Sequence, residues 1–184
     1  MSERQNAAAP LQGPVVERIP HGDDRLRMVC GDCGFVNYVN PRIIVAAVPV
    51  WDNKFLLARR AIEPRKNYWT IPAGFLEVGE TAEAGAVRET WEEARARVKT
   101  DALLGLYNIA AIGQLYVVYR AAMLSGEFGV GPESLDAQLF AWDEIPWSDL
   151  AFPSIRWALQ DYKKAEGQTN FAPFSEPPDI HWLR

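Results

Sequence analysis

The sequence predicts an α/β (α+β) sandwich in which β-strands are interleaved with two helices around one core. Three observations predict it. The chain has 184 residues, 48% of them hydrophobic, enough for one domain with a sizeable core but not for two. Several short runs rich in apolar, β-branched and aromatic residues have strand length. Two further segments place their apolar residues at the 3.6-residue spacing of a helix.

In chain order, residues 1 to about 24 combine Ala, Pro, Gly and charge without periodicity and read as a loose arm. A cysteine-bearing segment follows over residues 25–41, and the pattern changes at Arg42, opening a domain expected to reach residue 166. Its first run, Ile43-Ile44-Val45-Ala46-Ala47-Val48-Pro49-Val50, reads as a buried strand. Lys54-Phe55-Leu56-Leu57-Ala58-Arg59 is its hairpin partner across the Asp52-Asn53 turn. A loop punctuated by Pro and Gly spans residues 63–79 and leads into a helix from Thr81 to about Ala96. Leu103 to Ile109, Leu115 to Met123 and Gln138 to Trp142 read as strands. Ser154 is placed to cap a second helix, whose Ile155, Ala158, Leu159 and Tyr162 share a face. Residues 167–184 are Pro-rich and read as an irregular tail.

Composition excludes several classes of function. A net charge of -5 and a pI near 5.1 argue against nucleic acid held through its phosphates, which needs clustered Lys and Arg. The longest apolar stretch, Ile43 to Trp51, is far short of the roughly 20 residues a membrane span needs. The first ten residues lack the apolar core of a secretory signal, and two cysteines make no disulfide framework, so a cytoplasmic location is expected.

Chemistry is expected on the first helix. At 100° per residue, Glu92 and Glu93 fall at about −60° and +40° from Glu89, so three carboxylates share one face. A solvated acidic face paired with Arg88, Arg95 and Arg97 is the commoner meaning of such a trio. Like charges at these spacings oppose each other by roughly 0.2–0.5 kcal/mol a pair. A divalent cation removes that conflict, and Mg²⁺, with its preference for oxygen ligands, suits carboxylates with no His or Cys nearby. On the same side Ala82, Gly85 and Ala86 would leave room for a bulky ligand such as a metal-bound diphosphate. Ala84, Val87, Trp91 and Ala94 form the stripe expected to pack on the sheet.

A longer pattern decides between the two meanings. Gly74-Phe75-Leu76-Glu77-Val78-Gly79-Glu80, seven residues, then Arg88-Glu89-Thr90-Trp91-Glu92-Glu93-Ala94-Arg95-Ala96 resembles the Nudix box. The box consensus is a Gly, a Glu six positions on, Arg-Glu, a paired Glu-Glu, a Gly and an aliphatic residue. Tyr68-Trp69-Thr70-Ile71-Pro72-Ala73-Gly74 is similar to the strand and turn that lead into it. The resemblance implies an α/β/α sandwich with a mixed β-sheet. It also implies a Mg²⁺-dependent hydrolase, Mn²⁺ being the alternative metal, acting on a small-molecule nucleotide. A homodimer is common among such relatives.

Carried over position by position, the resemblance implies that Glu89, Glu92 and Glu93 bind metal with a carbonyl from Gly74. Glu92, Glu93 and Arg88 would be catalytic, and Glu80 would join Arg88 in bracing the loop. Glu133, in the Gly131-Pro132-Glu133 loop, is the candidate base. Arg59, Arg60, Arg65 and Lys66 are the cations expected to meet phosphate, Arg59 foremost, and Tyr68, Trp69 and Phe75 the rings expected to stack on the substrate, although core packing is the commoner role for Trp69.

Two positions depart from the box: Arg95 stands at its late Gly and Thr90 at an aliphatic position. Either residue 95 is left-handed, at a cost of roughly 1–2 kcal/mol for Arg, or the helix runs on. Cys30-Gly31-Asp32-Cys33-Gly34 resembles one half of a zinc ribbon; structural zinc takes four ligands, and none stands near Ala8 or Leu11, so no zinc is expected. Ile112 to Val117, Gly131 to Leu135 and Asp143 to Pro146 are similar to plant-type FAD and ADP-ribose pyrophosphatases. That similarity covers roughly residues 19–157 and implies release of AMP with a second monophosphate. Ala110 and Ala111 stand where ADP-ribose enzymes often carry Pro. The alternatives are a nucleoside triphosphate pyrophosphohydrolase and a nucleotide-sensing module that does not cut; the retained carboxylates weigh against the latter.

Overall fold

The computed structural model describes residues 13–175, in two compact units that divide between Asn40 and Pro41. In the first unit β1 (Pro14–Arg18), β2 (Arg27–Cys30) and β3 (Val36–Asn37) form an antiparallel sheet in that order. The expected arm is therefore too long. Residues 14–18 pair with β2, Val16 facing Val29 and Arg18 facing Arg27, and backbone pairing of an exposed strand leaves no apolar period in the sequence. Arg27 braces the unit, with Nε 3.1 Å from Asp23 Oδ2 and its guanidinium 5.1 Å from the Tyr38 ring. Cys30 is buried and Cys33 exposed. Ala8 and Leu11 lie outside the described residues.

The second unit is built on β4 (Arg42–Trp51), β5 (Lys54–Arg60), β6 (Trp69–Thr70), β7 (Ala73–Phe75), β8 (Val98–Ile109), β9 (Gln114–Met123), β10 (Ser134–Phe140) and β11 (Phe174–Ser175). The helices are α1 (Ala82–Ala94) and α2 (Pro153–Ala165). The sheet runs β10-β5-β4-β9-β8-β11, with β6 added beside β5 and β7 beside β4. It is mixed: β4 runs parallel to β9 and β8 to β11, and the other pairs are antiparallel. Part of the expected irregular tail thus joins the sheet edge, Phe174 pairing with Gly105. Among the described residues no helix is long and apolar enough to cross a membrane.

Strand β4 explains the layering. Its run is apolar on both sides because both faces are covered. Ile44, Ala46 and Val48 join the cluster under α2 with Phe55, Leu57, Ile155 and Leu159. Val45 and Ala47 join the cluster under α1 with Leu56, Ala86 and Ala94. The result is an α/β/α sandwich. Tyr107 on β8 donates a hydrogen bond to Asp161 Oδ2 on α2 at 2.9 Å, and Lys164 closes on the other Asp161 oxygen at 2.7 Å, so the buried carboxylate is satisfied.

Helix ends differ from expectation in informative ways. Thr81 caps α1, its Oγ1 accepting from the Ala84 N–H at 3.1 Å. The helix stops at Ala94 because Arg95 turns left-handed, φ 50°, and its N–H bonds the Trp91 carbonyl. Ser154 is not the cap of α2: Pro153, whose fixed φ suits the first helical position, moves the cap to Phe152 and leaves Ser154 buried in the first turn. Trp142 opens a short 3-10 turn rather than closing β10.

Candidate active site

The packed face of α1 is the small one. Gly85, Ala86, Thr90 and Ala94 are buried, whereas Ala84 and Trp91, expected on the sheet, are exposed. A Cβ on Gly85 would lie 2.9 Å from Val45 Cγ2 and 2.8 Å from Glu80 Oε1, so this glycine lets the helix backbone close on β4. The small residues serve the core, not a ligand. Glu89 and Glu93, on the same face, are consequently buried, at 9% and 7% exposure.

Burial decides the electrostatics of both carboxyls. Glu93 accepts from the Ala73 N–H at 3.2 Å, yet removal from water, with Glu89 and Glu133 nearby, pushes its carboxyl up to about 8. Glu89 is raised too, chiefly by burial, against the pull of Arg88. Its carboxylate lies against the Gly74 backbone, where a Cβ on Gly74 would overlap it. This gives the first glycine of the box a steric reason, with or without a carbonyl ligand.

Arg88 binds the box together. Its Nε and Nη2 grip the two Glu80 oxygens at 3.0 and 2.6 Å, Nη1 donates to Glu89 at 2.6 Å and to Glu92 at 2.9 Å, and Nη2 reaches the Phe75 carbonyl at 3.1 Å. Those bonds engage all five N–H donors of the guanidinium. In this arrangement Arg88 ties the loop to the helix, every donor being on a protein acceptor. Glu80, beside Arg88 and the Glu77 N–H, is held down at about 2 and stays ionised.

Among the described residues no three acidic, imidazole or thiol side chains are grouped as a metal site. Glu92 is exposed and turned to Arg88, since that guanidinium is the nearest relief for like charges on one helix. The donor set nevertheless fits a divalent cation: two buried carboxyls disfavour their anionic forms, and a cation would reverse that.

Glu133 arrives from another element. The end of α1 is closed by a loop, Gly129 N–H donating to the Ala94 carbonyl at 2.8 Å and Gly131 N–H to the Glu93 carbonyl at 3.0 Å. A Cβ on Gly131 would overlap the Glu92 carbonyl oxygen, so only glycine fits. This contact brings Glu133 within electrostatic reach of Glu89 and Glu93.

Gly74, Arg88 and four carboxylates, Glu89, Glu92, Glu93 and Glu133, line one cavity of about 870 Å³. Its lining also includes the apolar and aromatic side chains of Ile44, Phe75, Ile109, Tyr116, Phe152 and Trp157. Phe75 is 48% exposed, with the Arg42 guanidinium 5.6 Å from its ring.

Two expected substrate residues lie elsewhere. Trp69 is buried, with its ring edge-on to Phe140 at 5.0 Å, and is a core residue. Arg59 points away, its Nε on the Asn67 carbonyl at 2.9 Å, because successive strand residues face opposite sides. Arg60 takes the place in the cavity, over the Phe152 ring at 5.3 Å and near enough to Glu93 and Tyr116 to act on both. β5 is buried on both faces over Phe55 to Ala58, so no alternation in the sequence told Arg60 from Arg59. Tyr116, Phe152 and Trp157 carried no local signal either.

The family model described as NUDIX domain matches residues 40–160, and the one described as Nudix N-terminal, a zinc-ribbon model, matches residues 12–39. The chain is 31% identical over 131 residues to the ADP-ribose pyrophosphatase of Methanocaldococcus jannaschii, covering 69% of this chain and 76% of that protein. It is 35% identical over 127 residues to the NAD-capped RNA hydrolase NudC of Vibrio parahaemolyticus, covering 67% of this chain but only 48% of that protein. A crystal structure of a NUDIX hydrolase from Nitrosomonas europaea superposes with a TM-score of 0.83 at 44% identity, covering 89% of this chain and 94% of that one. The chain belongs to the Nudix family. It is a hydrolase, related to pyrophosphatases of nucleotides.

Proposed function

We propose that this hydrolase cuts the pyrophosphate bond of a nucleoside diphosphate joined to a second organic group, of the FAD or ADP-ribose class, with Mg²⁺ as the metal. The observation that carries the reading is the cavity, which joins a carboxylate cluster to an apolar, aromatic chamber in one space of about 870 Å³. That is ample for a nucleotide and its partner group. A nucleobase or flavin ring finds apolar and aromatic walls; the charged bridge finds the carboxylates, where only a cation makes it welcome.

Glu89, Glu92 and Glu93, with the Gly74 carbonyl, would hold the metal, Glu92 turning away from Arg88. When bound, the ion neutralises the phosphoryl oxygens and supports attack by water. Arg60 supports the bridge from the side of Phe152, and Glu133 accepts the proton of the attacking water. The new bond forms between water oxygen and phosphorus, the bridging P–O bond breaks, and two organic monophosphates leave. Arg88 and Glu80 keep the loop and helix in register while this occurs.

A panel of FAD, ADP-ribose, NADH and nucleoside triphosphates with Mg²⁺, followed by product analysis, tests the reading. The expected products are AMP with FMN or ribose 5-phosphate. Release of inorganic pyrophosphate from triphosphates alone would establish the triphosphate alternative, and binding without turnover the sensor.

A further inference from the structure

We propose that Arg95 is a phosphate-binding residue of this site, holding an oxygen of the substrate's diphosphate from the end of α1; the proposal rests on the pyrophosphatase reading. Arg95 occupies a left-handed position, φ 50° and ψ 21°, where glycine has no steric cost and a residue with a Cβ does. The backbone there is fixed from both sides. The Arg95 N–H is on the Trp91 carbonyl, and the Ala94 and Glu93 carbonyls take the Gly129 and Gly131 N–H groups. A strained residue so tightly held invites a functional explanation.

The side chain supplies one. Arg95 lines the cavity with Glu92 and Glu133. Arg88 has all its donors on protein acceptors, but among the described residues no ion pair involves Arg95. What holds it is Trp91, a surface ring with the Arg95 guanidinium 5.7 Å and the Arg97 guanidinium 5.5 Å from its centroid. Stacking restricts the side chain while leaving its N–H donors unspent. A planar guanidinium with open donors beside a diphosphate site is matched to phosphate oxygens, which an ammonium meets only as a point charge.

The test uses inorganic pyrophosphate with Mg²⁺ as the probe, titrated calorimetrically into the parent and the R95Q, R95K and R95G proteins, alongside steady-state kinetics and melting. R95Q keeps a Cβ and removes the charge. A lost charge-assisted contact weakens binding by about tenfold or more. We expect that loss in R95Q and R95G, a smaller one in R95K, and a rise in KM with kcat changed less than about threefold on the scale of that loss. R95G should melt at or above the parent temperature, since it relieves the left-handed residue. Pyrophosphate bound as tightly by R95Q as by the parent overturns the role of Arg95 alone. A parent that binds no pyrophosphate and cleaves no dinucleotide overturns the site reading with it.

Discussion

Replacing Glu93 by Gln isolates the charge that the fold buries beside the cavity. The Gln keeps an oxygen for the Ala73 N–H, 3.2 Å away, but cannot ionise. In the folded, metal-free protein the Glu93 carboxyl is raised from an ordinary 4.5 to about 8. A carboxyl raised in this way favours the folded state fully below its unfolded value, and that contribution is lost as pH rises toward the folded value. Between pH 4 and pH 7 the parent therefore loses about 3 kcal/mol at this one group, from a shift of 4.5 to about 8 at 1.36 kcal/mol per unit. The variant loses none of it. Urea denaturation of both proteins in chelator, at pH 4 to 7, should show the variant gaining on the parent by about that amount. Saturating Mg²⁺ should restore the parent at pH 7 and leave the variant nearly unmoved. A stability difference that stays flat with pH, or equal stabilisation of both by Mg²⁺, refutes the reasoning.

Three further outcomes follow from the geometry. Gly74→Ala places a Cβ in the Glu89 carboxylate, so Mg²⁺ affinity measured by calorimetry should fall roughly 10–100-fold while far-UV dichroism is unchanged. Arg88→Lys keeps one charge but cannot make five directed bonds to Glu80, Glu89, Glu92 and Phe75; turnover should drop roughly 10–100-fold, and a kcat within twofold of the parent would dismiss the brace. Glu133→Gln should lower kcat by roughly 10²–10⁴ with pyrophosphate binding retained, and full turnover would remove Glu133 as the base.

The residues of the box could be found in the sequence because their chemistry is local: Arg88, Glu89, Glu92 and Glu93 are neighbours on any helix, whatever the helix packs against. Which way that helix faces was not local. Ala82, Gly85 and Ala86 suited a ligand face as well as a packing face, and contact with Val45 decided for packing, which in turn buried Glu89 and Glu93. The choice between Arg59 and Arg60 likewise waited on the register of β5 against β6 and β10.

Alone, then, the sequence determined the α/β class, the long central strands, both helices and the acidic cluster, since each is written in period or spacing within about twenty residues. Tertiary structure decided the rest. Pairing drew Pro14–Arg18 and Phe174–Ser175 into sheets without any apolar period of their own. Packing brought Tyr116, Phe152 and Trp157 to the cavity that Glu93 lines. Burial depends on which distant segments exclude water, and so the raised carboxyl of Glu93 exists only in the folded chain.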